Sequence, residues 1–330
     1  MSLSAQVLEG NRLALARLLT KIENNDAEGK KALNELFPYT GKAHLIGVTG
    51  APGTGKSSLV NQLALYYRQL PEGESKRVAI VAVDPSSPFT GGAILGDRVR
   101  MRDLAGDSGV FIRSMASRGS LGGLAAATSG IVQALDAGGF DVILIETVGA
   151  GQAEVDIARL AHTTLVIEAP GLGDDIQAIK AGILEIADIL VINKADRPGV
   201  EITERALRSM LELAHPAPRI FHNQAHRIST ESENPLITKT KSKLDGEKIW
   251  LPPIRKTVAT EGQGIADLGA SIAEHMQFLK LTGQYGQREK ARLQSELDVL
   301  LREALVSRWP SHVYKKDHKQ VSVHVFQRSR

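Results

Sequence analysis

The 330-residue chain contains no cysteine. That excludes a disulfide framework, thiolate metal sites and cysteine nucleophiles, and it fits a reducing compartment. Also missing is any apolar run of about 18 residues, the length a membrane-spanning helix needs. The opening MSLSAQVLEGNRLALARLL has no basic segment leading into an apolar core with a cleavage site, so a cytoplasmic protein with no membrane association is expected. Net charge is small, a formal +3. The basic C-terminal stretch YKKDHKQVSVHVFQRSR carries only two aromatics, Tyr314 and Phe326, and no nucleic-acid partner is expected from it.

What remains is ordinary for a soluble globular chain: 42% hydrophobic and 23% charged residues, at a length able to bury a sizeable core. Residues 3–37 read as helical, with Leu15, Leu18, Leu19 and Ile22 at helical spacing after a Gly10-Asn11 turn. From His44 the pattern changes. HLIGVT, RVAIVAVD, GVFIRS, DVILIET, TTLVIEA and DILVINK alternate with helical stretches such as SSLVNQLALYYRQL and LGGLAAATSGIVQAL. This predicts an α/β fold with a doubly wound, mostly parallel sheet. After Pro198 the order loosens, residues 214–248 reading as a long polar connection before a last strand, IRKTVA, and a helix around Ile265 to Leu281. Three regions are expected: a helical N-terminal extension over 1–40, a nucleotide-binding domain over 41–282, and a helical arm with a basic tail over 283–330. In the arm, Leu293, Leu297, Leu300, Ala304 and Leu305 share a helical face that suits either core packing or a second subunit.

The chemistry sits at strand ends. HLIGVT runs into GAPGTGKSS, the full P-loop pattern in its required strand-to-helix context. Backbone N–H groups from Gly50, Ala51, Pro52's neighbours, Gly53, Thr54 and Gly55 would curl around phosphates. Lys56 would neutralise their β and γ oxygens, Ser57 would offer a hydroxyl to Mg²⁺, and Ser58 follows in the first helical turn. In DVILIETVGAGQAE, a strand apolar enough to be buried on both faces ends on Glu146 and then breaks into glycines. Glu146 and Asp84, which closes RVAIVAVD, are candidate carboxylates for the metal shell. Gly149 would let the next loop approach the γ-phosphate. The strand DILVINK ends in Asn193-Lys194-Ala195-Asp196. The Asp196 carboxylate can accept two hydrogen bonds from guanine, whereas adenine offers it no such pair. Asp97, Arg98 and Arg100 lie in one Gly-containing loop, Arg118 in another, and a third, APGLGDDIQAIKAG, carries Asp174 or Asp175 as a helix cap with Gln177 and Lys180 beyond it.

Taken together, GVTGAPGTGKSS, VAVDPSSPFTGGAILGDRVRM, SRGSLGG, ETVGAGQAE, GDDIQAIKAG and NKAD resemble the MeaB/ArgK family of G proteins, the animal counterpart being the MMAA protein. The likeness spans roughly residues 5–290. It implies a homodimeric GTPase that binds GTP or GDP with Mg²⁺. It also implies a client, an adenosylcobalamin-dependent acyl-CoA mutase of the methylmalonyl-CoA mutase type, whose cofactor loading is gated and whose inactivation is prevented. Carried over, Lys56 and Ser57 look like nucleotide and metal anchors, Asp84, Asp97 and Glu146 like the rest of the Mg²⁺ set, and Gln177 and Lys180 like a third switch facing the mutase. Ala150 and Ala153 stand where members usually show Val and Ser, and the segment after Trp309 matches nothing in the family pattern.

Catalysis would be electrostatic, with Gln152 orienting a water and no evident base, so slow turnover stimulated by the partner is expected. Three rivals carry distinct signatures. A nickel-type insertion GTPase calls for soft ligands or histidine runs, which scattered His215, His222 and His226 do not supply. A nucleotide-gated scaffold fits the absence of a base. A transport-linked ATPase predicts ATP turnover that survives Asp196→Ala.

Overall fold

The computed structural model describes residues 1–71, 73–84, 101–104, 106–116, 123–147, 152–171, 185–213 and 249–313. Seven parallel strands form one sheet: β1 (His44–Gly50), β2 (Val78–Asp84), β3 (Val110–Ala116), β4 (Val142–Thr147), β5 (Thr163–Glu168), β6 (Ile189–Asn193) and β7 (Ile254–Thr257). Their spatial order is β3-β2-β4-β1-β5-β6-β7. β1 lies between β4 and β5, with Val48 opposite both Glu146 and Leu165. The order reverses at β1, so the carboxyl ends of β1, β4 and β5 frame the crevice where open α/β sheets take ligands.

The strands are apolar throughout because both faces are covered. Ile143 and Ile145 of β4 point into one core, while Val142 and Leu144 point into the other, the two-residue period of a strand. On the first face lie α1 (Leu3–Leu8), α2 (Arg12–Glu23), α3 (Ala27–Leu36), α5 (Gly123–Ala137) and α6 (Gln152–Leu160). On the second lie α4 (Lys56–Arg68) and α8 (Ile265–Leu281). The N-terminal helices share their core with the sheet: Leu15, Leu18, Leu19 and Ile22 are buried in the same cluster as Leu45 and Ile143. Asn11 caps α2, its side-chain oxygen accepting from the Leu13 and Ala14 N–H groups at 3.0 Å each. Gly47 is what seats α6 on β1. A Cβ there would stand 2.7 Å from Ile157 Cγ2 and 3.1 Å from Ala161 Cβ.

The structure adds an element that the loosened pattern after Pro198 did not announce. α7 (Val200–Leu213) packs Val200 and Leu207 against β5 and β6. Its neighbours Pro198 and Gly199 form the turn that starts it, Thr203 N–H donating to Gly199 O at 3.1 Å.

α9 (Gln284–Val313) is fastened at its root to the amino edge of the sheet by polar groups. Arg288 donates to both oxygens of the buried Asp188 at 3.0 Å and to the carbonyl of His162. His162 Nδ1 accepts the Leu45 N–H at 3.1 Å, which leaves its Nε2–H to donate to Glu289 Oε1 at 2.6 Å. Arg292 adds two bonds to Glu289 at 3.0 Å each. Beside them, burial holds His44 well below the usual histidine range. Its Nε2 lies 2.8 Å from Thr163 Oγ1, itself 2.9 Å from His275 Nδ1. Farther along, Leu297, Leu300, Leu301 and Leu305 are exposed in the single chain, so this stripe is not core packing within one subunit.

Burial alone would push the Glu289 carboxyl up, but the His162 hydrogen bond and the Arg292 guanidinium hold it down to about 2. A carboxyl lowered on folding stabilises above its unfolded value of 4.5 and loses that contribution as the pH falls toward about 2. Glu289→Gln is expected to cost roughly 1–3 kcal/mol at neutral pH and to flatten the acid limb of stability across that window. Thermal unfolding of both proteins as a function of pH reads the difference. Gly47→Ala should lower the urea midpoint by an overpacking cost of about 1–3 kcal/mol.

Candidate active site: a phosphate loop tied to a base-reading strand

β1 can turn into the loop only because Gly50 lacks a side chain. Its φ is +140°, and a Cβ would lie 2.1 Å from the Ile167 carbonyl oxygen of β5. Gly53 and Gly55 follow at φ +81° and +92°, left-handed conformations that open the backbone N–H groups toward the crevice. Pro52, Gly53 and Ser58 are exposed, while Thr54 is fully buried and its hydroxyl donates to Ala51 O at 2.9 Å. Lys56, the first residue of α4, is 6% exposed. Its ammonium arches back over the loop to the carbonyls of Gly50 at 2.8 Å and Ala51 at 3.0 Å. A phosphate entering at the amino end of α4 would meet that ammonium, the loop amides and the positive end of the helix together.

The next residue faces the strand end of β4. Ser57 Oγ donates to Glu146 Oε1 at 2.6 Å, and Glu146 is only 1% exposed. One position on, Thr147 Oγ1 donates to Thr49 Oγ1 at 3.2 Å, joining the exit of β4 to the strand that enters the phosphate loop. The pairing of β2 with β4 sets Ala82 opposite Glu146 and Val83 opposite Thr147, so Asp84 closes β2 on this same edge. A hydroxyl and a carboxylate oxygen in contact are hard donors that suit Mg²⁺, which takes few protein ligands and keeps positions for phosphate and water. Among the described residues no group of three or more His, Asp or Glu side chains gathers as a ready-made metal cage. Gln152 opens α6, directly after the Gly-containing loop that follows β4.

The base-reading segment is bonded to the phosphate loop itself. Asn193, 2% exposed at the end of β6, donates from Nδ2 to Thr54 O at 2.8 Å. Its Oδ1 accepts from Thr257 Oγ1 and from the Ala259 N–H, each at 3.1 Å. Lys194 takes the left-handed conformation, φ +57°, and donates from Nζ to Gly53 O at 2.6 Å. The Ala195 N–H donates to Thr257 O at 3.0 Å. The turn thereby leaves Asp196 exposed at the rim. Gly55 is glycine for the same reason: a Cβ would lie 2.4 Å from Asn193 Nδ2.

The structure thus brings Gly50, Ala51, Gly53, Thr54, Gly55, Lys56, Ser57, Glu146, Asn193 and Lys194 into one connected set. Thr257 and Ala259 belong to that set and were missed in the sequence. Both fall in IRKTVA, the last strand expected from the sequence, where a hydroxyl residue near the strand's end is the signal for them. Asp97, Arg98, Arg100, Arg118, Gly149, Asp174, Asp175, Gln177 and Lys180 lie outside the described residues, as do the three scattered histidines and the basic tail.

Asn193→Ala would strip the partner from the Ala259 N–H and the Thr54 carbonyl together. A loss of about 1–3 kcal/mol in chemical denaturation is expected. Nucleotide affinity should fall with it, since the loop conformation is no longer held; calorimetric titration with GDP measures that fall.

Over residues 15–313 the chain matches the protein family described as methylmalonyl Co-A mutase-associated GTPase MeaB. It is 45% identical over 294 residues to a Pyrococcus horikoshii protein named as a GTPase, covering 89% of this chain and 83% of that one. With the GTPase ArgK of Escherichia coli K12 it shares 33% identity over 302 residues, covering 88% and 82%. Among solved structures, that of an LAO/AO transport system kinase superposes with a TM-score of 0.67 at 25% identity, covering 99% of this chain and 92% of that one. With the family model matching residues 15–313 and relatives at 33% and 45% identity covered over more than four fifths of their length, the chain belongs to the MeaB family of GTPases.

Proposed function

We propose that this protein binds GTP with Mg²⁺, hydrolyses it to GDP and phosphate, and uses that cycle to gate cofactor loading and protection of an adenosylcobalamin-dependent acyl-CoA mutase. The observation that carries the nucleotide half is the bond from Asn193 to the Thr54 carbonyl, which sets Asp196 at a fixed distance from the phosphate loop. The mutase half is supported by the family's own description and by likeness to a Caenorhabditis elegans protein named as a mitochondrial methylmalonic aciduria type A homolog. That likeness is 29% identity over 87% of this chain and 67% of that one.

Each residue has a part in this reading. The Lys56 ammonium exchanges two backbone carbonyls for phosphate oxygens, where a charge-assisted bond is stronger. Ser57 and Glu146, with Asp84 and Asp97, would hold the metal. Mg²⁺ supplies neutralisation of phosphate charge. Gln152 orients the attacking water, and Asp196 admits guanine and rejects adenine. With the Glu146 carboxylate engaged by Ser57 and given to the metal shell in this reading, no residue is assigned as general base, and turnover is slow until the mutase closes the loops around the nucleotide.

The exposed leucines of α9 support a homodimer formed through the arm at residues 283–330. No helix among the described residues is long and apolar enough to cross a membrane; in this reading the protein is cytoplasmic and acts on a protein client, without nucleic acid or membrane.

Lys56→Ala should lower GTP turnover at least about 100-fold. Asp196→Ala should cost GTP affinity at least about 100-fold and leave ATP affinity, already weak, unchanged. Steady-state hydrolysis with and without a purified cobalamin-dependent acyl-CoA mutase tests the client. A GTP-selective rate that rises with mutase supports the proposal, a GTP-selective rate indifferent to mutase removes the client, and a preference for ATP removes the role given to Asp196.

A further inference from the structure

A cavity of about 280 Å³ lies on the α6 side of the sheet, walled by α3, α5, α6 and α9 and floored by Val83 near the end of β2. Its walls are chiefly apolar, with Leu33, Ile157 and Val299 contributed by three different helices, the usual character of a small-molecule site. One polar feature has no structural explanation. Ser129 of α5 lines the cavity, is 7% exposed, and its hydroxyl has no hydrogen-bond partner among the described residues. Buried hydroxyls are normally satisfied, and leaving one bare is costly. Its neighbour Gln133 is already committed, donating to the Leu33 carbonyl at 3.0 Å.

The charges around the cavity decide what kind of molecule would satisfy Ser129. Arg292 bonds Glu289 twice and also lies 3.8 Å from Glu296. Counted with Glu289, the lining cations Lys30, Arg159 and Arg292 meet Asp156, Glu289 and Glu296, three of each sign, so no net field favours a charged ligand. We propose that this cavity binds a small neutral molecule, an apolar body with one hydrogen-bonding head directed to Ser129, and that its occupation braces α6 against α3 and α9. α6 begins directly after the loop that follows Glu146. A ligand wedged behind it would resist movement of that helix and slow nucleotide release; this second consequence rests on the GTPase reading, whereas the site itself does not.

The test is ¹⁹F NMR titration of the full chain with 6,6,6-trifluorohexan-1-ol, with the matching carboxylate and amine as charged comparators. Saturable binding of the alcohol, tighter than either charged analogue, is expected. Ser129→Ala should weaken it roughly three- to tenfold, the worth of one hydrogen bond. Leu300→Trp, which fills the cavity from the exposed arm helix without touching the sheet, should abolish it. Absence of saturable binding, or equal binding in both variants, overturns the site. So does binding that disappears as the chain self-associates, which would assign the cavity to a contact between copies. Release of a fluorescent GDP analogue, followed with and without the alcohol, reads the bracing: slower release supports it, and unchanged release despite bound alcohol overturns it. Should the chain fail to bind GDP at all, the GTPase reading falls while the ¹⁹F result still decides the cavity.

Discussion

The nucleotide site depends on one buried amide. Asn193 of β6 spends both ends of its side chain on backbone and hydroxyl groups from two other segments: Thr54 of the phosphate loop, and Thr257 closing β7 with Ala259 just beyond it. Each bond is modest by itself, about 1 kcal/mol net. Together they convert three chain segments, far apart in sequence, into a single frame. Gly55 must be glycine to let the amide approach, and Lys194 must turn left-handed to reach Gly53 while Asp196 is set outward. The segment that carries Asp196 and the phosphate loop are therefore mechanically one unit before any ligand arrives.

A second frame holds the opposite edge of the sheet. Asp188, His162 and Glu289 gather the first turns of α9 against the starts of β1, β5 and β6 through buried, mutually satisfied charges. Such a cluster adds little net stability over an apolar one, but it fixes direction, because removing one partner strands the others without solvent. Fixing α9 there fixes where its exposed leucines are presented. The middle of the molecule is softer: the cavity behind α6 lies between these two frames, next to the helix that follows Glu146.

Much of this was legible in the sequence, for a physical reason. The strand-loop-helix at GAPGTGKSS and the turn at NKAD are local devices, and local chemistry dictates glycine, lysine and carboxylate at fixed spacing. The six continuous apolar runs likewise announce a parallel sheet, since only strands covered on both faces can be apolar at every position. Three features stayed hidden because they are made by distant residues meeting. Thr257 is unremarkable until β7 is placed beside β6. The polar anchor of α9 joins positions a hundred or more residues apart. α7 went unannounced because the pattern loosens after Pro198, yet Pro198 and Gly199 serve as the turn into a helix. The leucine stripe of α9 shows the converse limit: its spacing was evident, yet spacing alone does not say whether a face meets its own core or another surface.

The interlock at Asn193 is most directly tested by hydrogen–deuterium exchange of the nucleotide-free protein, comparing the native chain with Asn193→Ala. If the phosphate loop is held in advance by that side chain, amides from Thr54 through Ser57 will lose protection in the variant while those of β1 and β4 keep theirs. Unchanged protection across the loop would contradict the account, and would mean that the P-loop holds its shape alone.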